Sequence, residues 1–140
     1  MPMPHIARLT LALLGLCLPA VASGADTCQG DHSLADQDRG KTTITRSGSG
    51  NTATIVRHDL DGTIRLEQHG KDNTTLAVQS GSGEKLSIAQ SGASATADVA
   101  QDGACNDTEL AQAGAGNVAT VKQSGNGNRA VVRQGPQREN

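Results

Sequence analysis

Residues 112–123 read Gln112-Ala113-Gly114-Ala115-Gly116-Asn117-Val118-Ala119-Thr120-Val121-Lys122-Gln123, and the next eleven return to Gln134 through Gly125, Asn128 and Ala130. Working outward with a step of eleven gives Arg46, Arg57, Gln68, Gln79, Gln90, Gln101, Gln112, Gln123 and Gln134, so that seven of the chain's ten Gln share one comb. Gly recurs two residues after most teeth (Gly48, Gly70, Gly81, Gly92, Gly103, Gly114, Gly125), and Asn recurs five after many (Asn51, Asn73, Asn106, Asn117, Asn128). Nine after each tooth the residue is always apolar, from Ile55 and Leu66 to Val121 and Val132. Self-similarity at a fixed period is the mark of a repeat architecture.

Inside each unit the fixed positions are two residues apart, the period of a strand with one buried face. The four residues between a tooth and the next Asn carry the Gly that a tight turn requires at positive φ. Each unit therefore reads as a strand of about seven residues and a turn. Gly at every eleventh position and a polar-apolar alternation leave no 3.6-residue stripe for a helix.

Alternate units differ in bulk. Gly62-x-Ile64-x-Leu66-x-Gln68 and Glu84-x-Leu86-x-Ile88-x-Gln90 point two large aliphatics inward, whereas the units at Asn51, Asn73 and Asn117 place Ala53, Thr75 and Ala119 at the first of those positions. The repeat is thus 22 residues long. The expected fold is all-β: a β-solenoid of about four and a half 22-residue strand-turn-strand rungs forming two facing parallel sheets, with rungs at 40–61, 62–83, 84–105 and 106–127 and a half rung at 128–134. In such a stack the inward amides of Gln68, Gln79, Gln90, Gln101, Gln112, Gln123 and Gln134, and of Asn51, Asn73, Asn106, Asn117 and Asn128, form ladders along the axis.

Composition agrees with a narrow core. The 140 residues include 17 Gly and no Phe, Tyr or Trp, so the fold is held by small aliphatics and backbone hydrogen bonds. A net charge of -2 and the absence of stacking rings argue against a nucleic-acid partner.

Residues 1–25 have the pattern of a secretory signal peptide: Arg8, a ten-residue apolar stretch from Leu9 to Leu18, then Pro19 and the small residues 20–25. Ten residues are too few to cross a bilayer as a helix, which takes about 20. A polar, acidic segment follows at 26–39, and 135–140 form a short tail. With Cys17 removed along with the signal, Cys28 and Cys105 remain in an oxidising compartment, either bridged to each other or present as free or intermolecularly paired thiols.

The pattern Gln-x-Gly-x-x-Asn-x-Ala-x-x-x-Gln, complete from Gln112 to Gln123 and from Gln123 to Gln134, resembles the curlin repeat of the bacterial curli amyloid subunits. Arg46-x-Gly48-x-x-Asn51-x-Ala53-x-x-x-Arg57 and Gln68-x-Gly70-x-x-Asn73-x-Thr75-x-x-x-Gln79 match it in part, and the likeness extends over about 40–134. The resemblance implies a secreted protein that polymerises into fibres on the cell surface. It implies self and other curlin-type subunits as partners and export through an outer-membrane channel. The segment 26–39 lacks the Gly-rich leader of that family, and family aromatics are missing, features that fit a variant or minor subunit as well as a principal one.

Other chemistry is less well matched. Asp59-Leu60-Asp61-Gly62 opens like a calcium loop, but the twelfth position is Gly70 rather than a bidentate Glu. His58 and His69 fall in successive turns at opposite ends of a rung, and the Ser residues cluster in Gly-rich turns without the setting of a hydrolase triad. No catalytic residue, metal or cofactor is therefore expected. Outward Thr52, Thr74 and Thr96 form a column ending in Val118, but the neighbouring column reads Thr54, Leu76, Asp98, Thr120. A monomeric adhesin or ice-binding solenoid, which uses paired Thr columns, is the rival to a fibre subunit. Charges at Asp59, Asp61, Asp72, Lys85, Asp102 and Asp107 read as gatekeepers against premature strand pairing, and inward Arg46 and Arg57 as marks of an imperfect first rung.

Overall fold

The computed structural model describes residues 40–58 and 61–135. The signal-peptide reading, the 26–39 segment, Cys28 and most of the tail lie outside the described residues.

Among the described residues nine strands follow one another: β1 (Thr42–Ser49), β2 (Thr52–Arg57), β3 (Thr63–Lys71), β4 (Thr74–Ser82), β5 (Lys85–Ala93), β6 (Thr96–Ala104), β7 (Asp107–Ala115), β8 (Val118–Asn126) and β9 (Arg129–Gln134). They sort by parity into a five-stranded sheet, β1-β3-β5-β7-β9, and a four-stranded sheet, β2-β4-β6-β8. Every pairing is parallel, and every register offset is 22 residues, as in Gln68 beside Gln90 and Gln79 beside Gln101. The all-β solenoid of two parallel sheets is thus the observed fold, with four complete turns and β9 as the half rung.

The core follows from the period-two pattern. Ile64, Leu66, Leu86, Ile88 and Leu110 of the first sheet face Ala77, Ala97, Val99, Ala119 and Val121 of the second, and all are buried. Large against small holds for β3 and β5 but relaxes toward the C-terminus, where Thr108 and Ala130 take the place of Ile64 and Leu86. At the N-terminal end β1 is exposed along its whole length, and Ile44 is 44% exposed.

The strands are longer and the turns shorter than the sequence pattern implied. Interior strands run nine residues because they continue three residues past the comb tooth. The comb Gly therefore sits inside the ladder rather than in the turn. At Gly81 the backbone bends with φ +131°, and a Cβ there would run into the carbonyl oxygen of Gly103 one rung away. The requirement is a close approach between rungs as much as a positive φ. The turn proper is made by a left-handed residue two positions later, which among the described residues is Gly50, Gly83, Gly116 or Gly127 (φ 63° to 70°) in four units and Asp72, Ser94 or Cys105 (φ 55° to 58°) in three.

Candidate functional site

The inward Gln side chains form two continuous hydrogen-bonded files. In the five-stranded sheet Gln68 Nε2 donates to Gln90 Oε1 (3.0 Å), Gln90 to Gln112 (3.0 Å) and Gln112 to Gln134 (2.8 Å). In the four-stranded sheet Gln79 donates to Gln101 (2.9 Å) and Gln101 to Gln123 (3.0 Å). A primary amide has two N–H donors, and the second is spent across the core. Gln68, Gln90 and Gln112 reach Thr52, Thr74 and Thr96 carbonyls at the start of facing strands, and Gln101 reaches Lys85. Each such Gln therefore ties neighbouring rungs of one sheet together and ties that sheet to the other.

The ladders are directional. Every Gln–Gln bond runs from a donor in one rung to an acceptor in the rung nearer the C-terminus. The first acceptor of each file, Gln68 Oε1 and Gln79 Oε1, is buried without a hydrogen-bond partner among the described residues. Their neighbours in register are Arg46 and Arg57. Arg57 instead donates to Gly40 O (3.0 Å), Thr42 Oγ1 (3.0 Å) and Gly62 O (2.6 Å), and Arg46 to Asn51 O (3.4 Å). The two arginines thus close the first rung by gathering loop carbonyls and the Thr42 hydroxyl.

Asn files are shorter than the comb implied. Asn51 Oδ1 accepts from the backbone N and Nδ2 of Asn73 (both 3.1 Å), but Asn73 Oδ1 then meets only the backbone N of Ala95 (3.0 Å). Asn106 and Asn128 repeat the pair, with Glu84 below them. Asn117, whose column neighbour is Ala95, donates to Ala113 O (2.8 Å) instead of joining a file. The shared duty of these residues is at the corner. Asn51, Asn73 and Asn106 each donate to a carbonyl four residues back and to the comb Gly of the next rung. They satisfy backbone groups where the strand bends, a need that follows from burying a turn.

Two participants were not evident from the comb. Thr75 and Thr108, which stand where other units have Ala or an aliphatic, donate Oγ1 to Gln90 Oε1 (2.8 Å) and Gln123 Oε1 (2.6 Å). Both are buried and link one Gln file to the facing sheet. Their signal in the sequence is a polar residue at an otherwise apolar position, seven after the tooth.

Cys105, half-buried in a corner, is disulfide-bonded, and its mate lies outside the described residues. Asn73 and Asn106, which fit the glycosylation pattern, are fully buried. The outward Thr52, Thr74 and Thr96 are exposed and in register, but Leu76 and Asp98 interrupt the adjacent column. Ser47 Oγ lies 2.7 Å from His69 Nδ1, and among the described residues no three His, Cys, Asp or Glu gather as metal ligands.

Among the described residues β8 and β9 are the C-terminal edges of the two sheets, and β1 and β2 the N-terminal edges. The family model of the Curlin associated repeat matches residues 106–135, which comprise β7, β8 and β9. The preceding strands repeat that segment's register and ladder contacts back to β3, and its backbone pairing back to β1. No curated protein and no solved structure matches the chain.

Proposed function

We propose that this chain is a secreted structural subunit of curli-type fibres, assembling on the bacterial surface by templated stacking of β-strand rungs. It is not an enzyme and takes no cofactor. The observation that carries the reading is a one-dimensional stack whose 22-residue register and amide files run out to β8 and β9 without a covering element among the described residues, in the segment that matches the curlin repeat.

An uncovered strand edge presents a row of unpaired N–H and C=O groups, which most solenoids cover with a polar cap. On β8 and β9 that edge is followed inward by partly covered Ala130 and Val132 and by the last Gln of each file. A further rung adds two strands of backbone bonds, buries those aliphatics and extends the Gln files. Self and other curlin-type subunits are the partners, and the outer-membrane channel of the family is the export route. Adhesion and biofilm matrix are the fitting roles.

The test is assembly of the purified mature protein. Thioflavin fluorescence should rise after a lag that seeds shorten, and the product should diffract at about 4.7–4.8 Å and about 10 Å. A protein that remains monomeric for days, without cross-β diffraction or response to seeds, refutes the fibre reading and leaves the monomeric adhesin in its place.

A further inference from the structure

The two ends of the solenoid are not complementary in their inward hydrogen bonding. At the C-terminal end Gln134 Nε2 donates across the core to Val118 O (2.9 Å) and Gln123 Nε2 to Asp107 O (3.4 Å). In interior rungs the second N–H of the same amide goes up the file to the next Oε1, as from Gln90 to both Thr74 O and Gln112 Oε1. At Gln123 and Gln134 that second donor has no acceptor among the described residues. This end therefore asks for an acceptor in each file.

The chain's own first rung does not bring one. A guanidinium is all donor, so an incoming Arg46 or Arg57 sets N–H against N–H. Within the molecule, where Arg46 and Arg57 are held by the chain directly beside Gln68 and Gln79, they leave both buried Oε1 atoms unpaired and turn to loop carbonyls. Covalent placement in perfect register does not make them ladder members, and a second copy arriving from solution has no better geometry.

The strand count decides which residues meet. Among the described residues, five strands in one sheet and four in the other leave β9 one strand beyond β8. Stacking without a gap then lays the incoming β1 on β8 and the incoming β2 on β9, with the newcomer turned half a turn about the axis. Arg46 of that copy falls over Gln123, and Arg57 over Gln134.

We propose that the β8–β9 face is a selective docking surface for a curlin-type rung with Gln at both inward comb positions, and that Arg46 and Arg57 make a second copy's first rung a mismatched occupant. The proposal rests on the fibre reading and refines it: addition of one copy to another is the slow, weak junction, and addition of a Gln-bearing rung is the fast one.

The double variant Arg46→Gln/Arg57→Gln supplies that rung as a probe. Added as monomer to wild-type seeds, it should elongate them faster than wild-type monomer does, with a critical concentration about tenfold lower, the worth of two recovered hydrogen bonds. The converse variant Gln123→Glu/Gln134→Glu places acceptors on the docking face. Seeds made from it should take up wild-type monomer faster than wild-type seeds, an advantage that added salt diminishes and that the Arg46→Gln/Arg57→Gln monomer does not share. Far-UV circular dichroism and urea midpoints establish that each monomer is folded. Equal or slower elongation by the folded Arg46→Gln/Arg57→Gln variant, with wild-type fibres forming normally, overturns this inference alone. Absence of cross-β assembly from both proteins overturns it together with the fibre reading.

Discussion

Replacing Gln101 by Leu tests whether the amide files hold the fold or merely accompany it. Gln101 is 1% exposed, accepts from Gln79 Nε2 (2.9 Å), and donates to Gln123 Oε1 (3.0 Å), Lys85 O (3.1 Å) and Thr108 Oγ1 (3.1 Å). Leu carries no polar group and branches at Cγ, one carbon nearer the backbone than the amide of Gln. The change strands one group fully, Gln79 Nε2, because Gln123 Oε1 keeps its bond from Thr108 Oγ1 and Lys85 O keeps its place in the ladder between β5 and β7. At about 1–3 kcal/mol for the buried unsatisfied donor and about 0.5–1.5 kcal/mol for each of the lost bonds to Lys85 O and Gln123 Oε1, the loss is about 2–6 kcal/mol. The extra apolar burial of Leu over the Gln methylenes returns about 1 kcal/mol, which leaves a net destabilisation of about 3 kcal/mol. Replacing Gln79, Gln101 and Gln123 together should cost less than three times as much, since no amide in that file is then left unpaired. Urea unfolding of freshly prepared monomer, followed by circular dichroism before assembly begins, reads both values. A single-variant cost under about 0.5 kcal/mol, the range of ordinary surface substitutions, refutes the argument, as does strict additivity of the three.

Three further outcomes follow from the geometry. Gly81→Ala meets both a φ of +131° and the Gly103 carbonyl, and should lower monomer stability by at least about 2 kcal/mol in the same urea assay, whereas Gly116→Ala, with φ +69° and open space around it, should cost only about 1 kcal/mol; equal costs would contradict the close-approach account. Peptide mapping of the mature protein without reductant should recover Cys105 joined to Cys28, and reduction should lower the urea-derived stability by about 2–4 kcal/mol; recovery of a Cys105–Cys105 linked dimer contradicts the pairing. In fibres, the nine strands of the described residues, two to a rung of about 4.8 Å, should give an axial advance of about 22 Å per copy with a half turn between successive copies, measurable by electron cryomicroscopy; a whole number of rungs per copy refutes the gapless junction.

How much of this was legible beforehand depends on whether a feature repeats. Parallel strands have a period-two signal and a long crossover, and here both were carried by one comb, so that the 22-residue register and the pairing Gln68, Gln90, Gln112, Gln134 could be read directly. Features set by contact between rungs were not. The comb Gly looks like a turn residue in a linear reading, and only the carbonyl of the next rung reveals that Gly81 lies in a bent strand. The Asn files failed for a related reason. A column takes every second unit, so Ala95 and Glu84 interrupt it even though Asn recurs along the comb. Thr75 looked like a departure from the Ala pattern, but its hydroxyl bonds Gln90 of the facing sheet, a contact with no local signal.

The absence of rings changes what specifies the stack. Each interior strand sends three side chains into the core, and one of them is a hydrogen-bonded amide, so about a third of the inward positions contribute direction and register rather than bulk apolar area. A slip of one residue turns every inward side chain out, and a slip of two places an aliphatic over an amide and leaves two polar groups unpaired, at about 1–3 kcal/mol each. A slip of a full unit of eleven keeps Gln over Gln, and alters the match of Ile64 and Leu66 with small partners such as Ala97 and the Asn pairs at the corners. The ladder therefore excludes short errors strongly and unit-length errors weakly. The odd count of nine strands among the described residues makes a displacement of eleven residues the step that closes both sheets at a junction. The register error that the core tolerates best is the one that stacking requires, which ties the choice of small aliphatics and Gln over aromatic rings to growth by half turns.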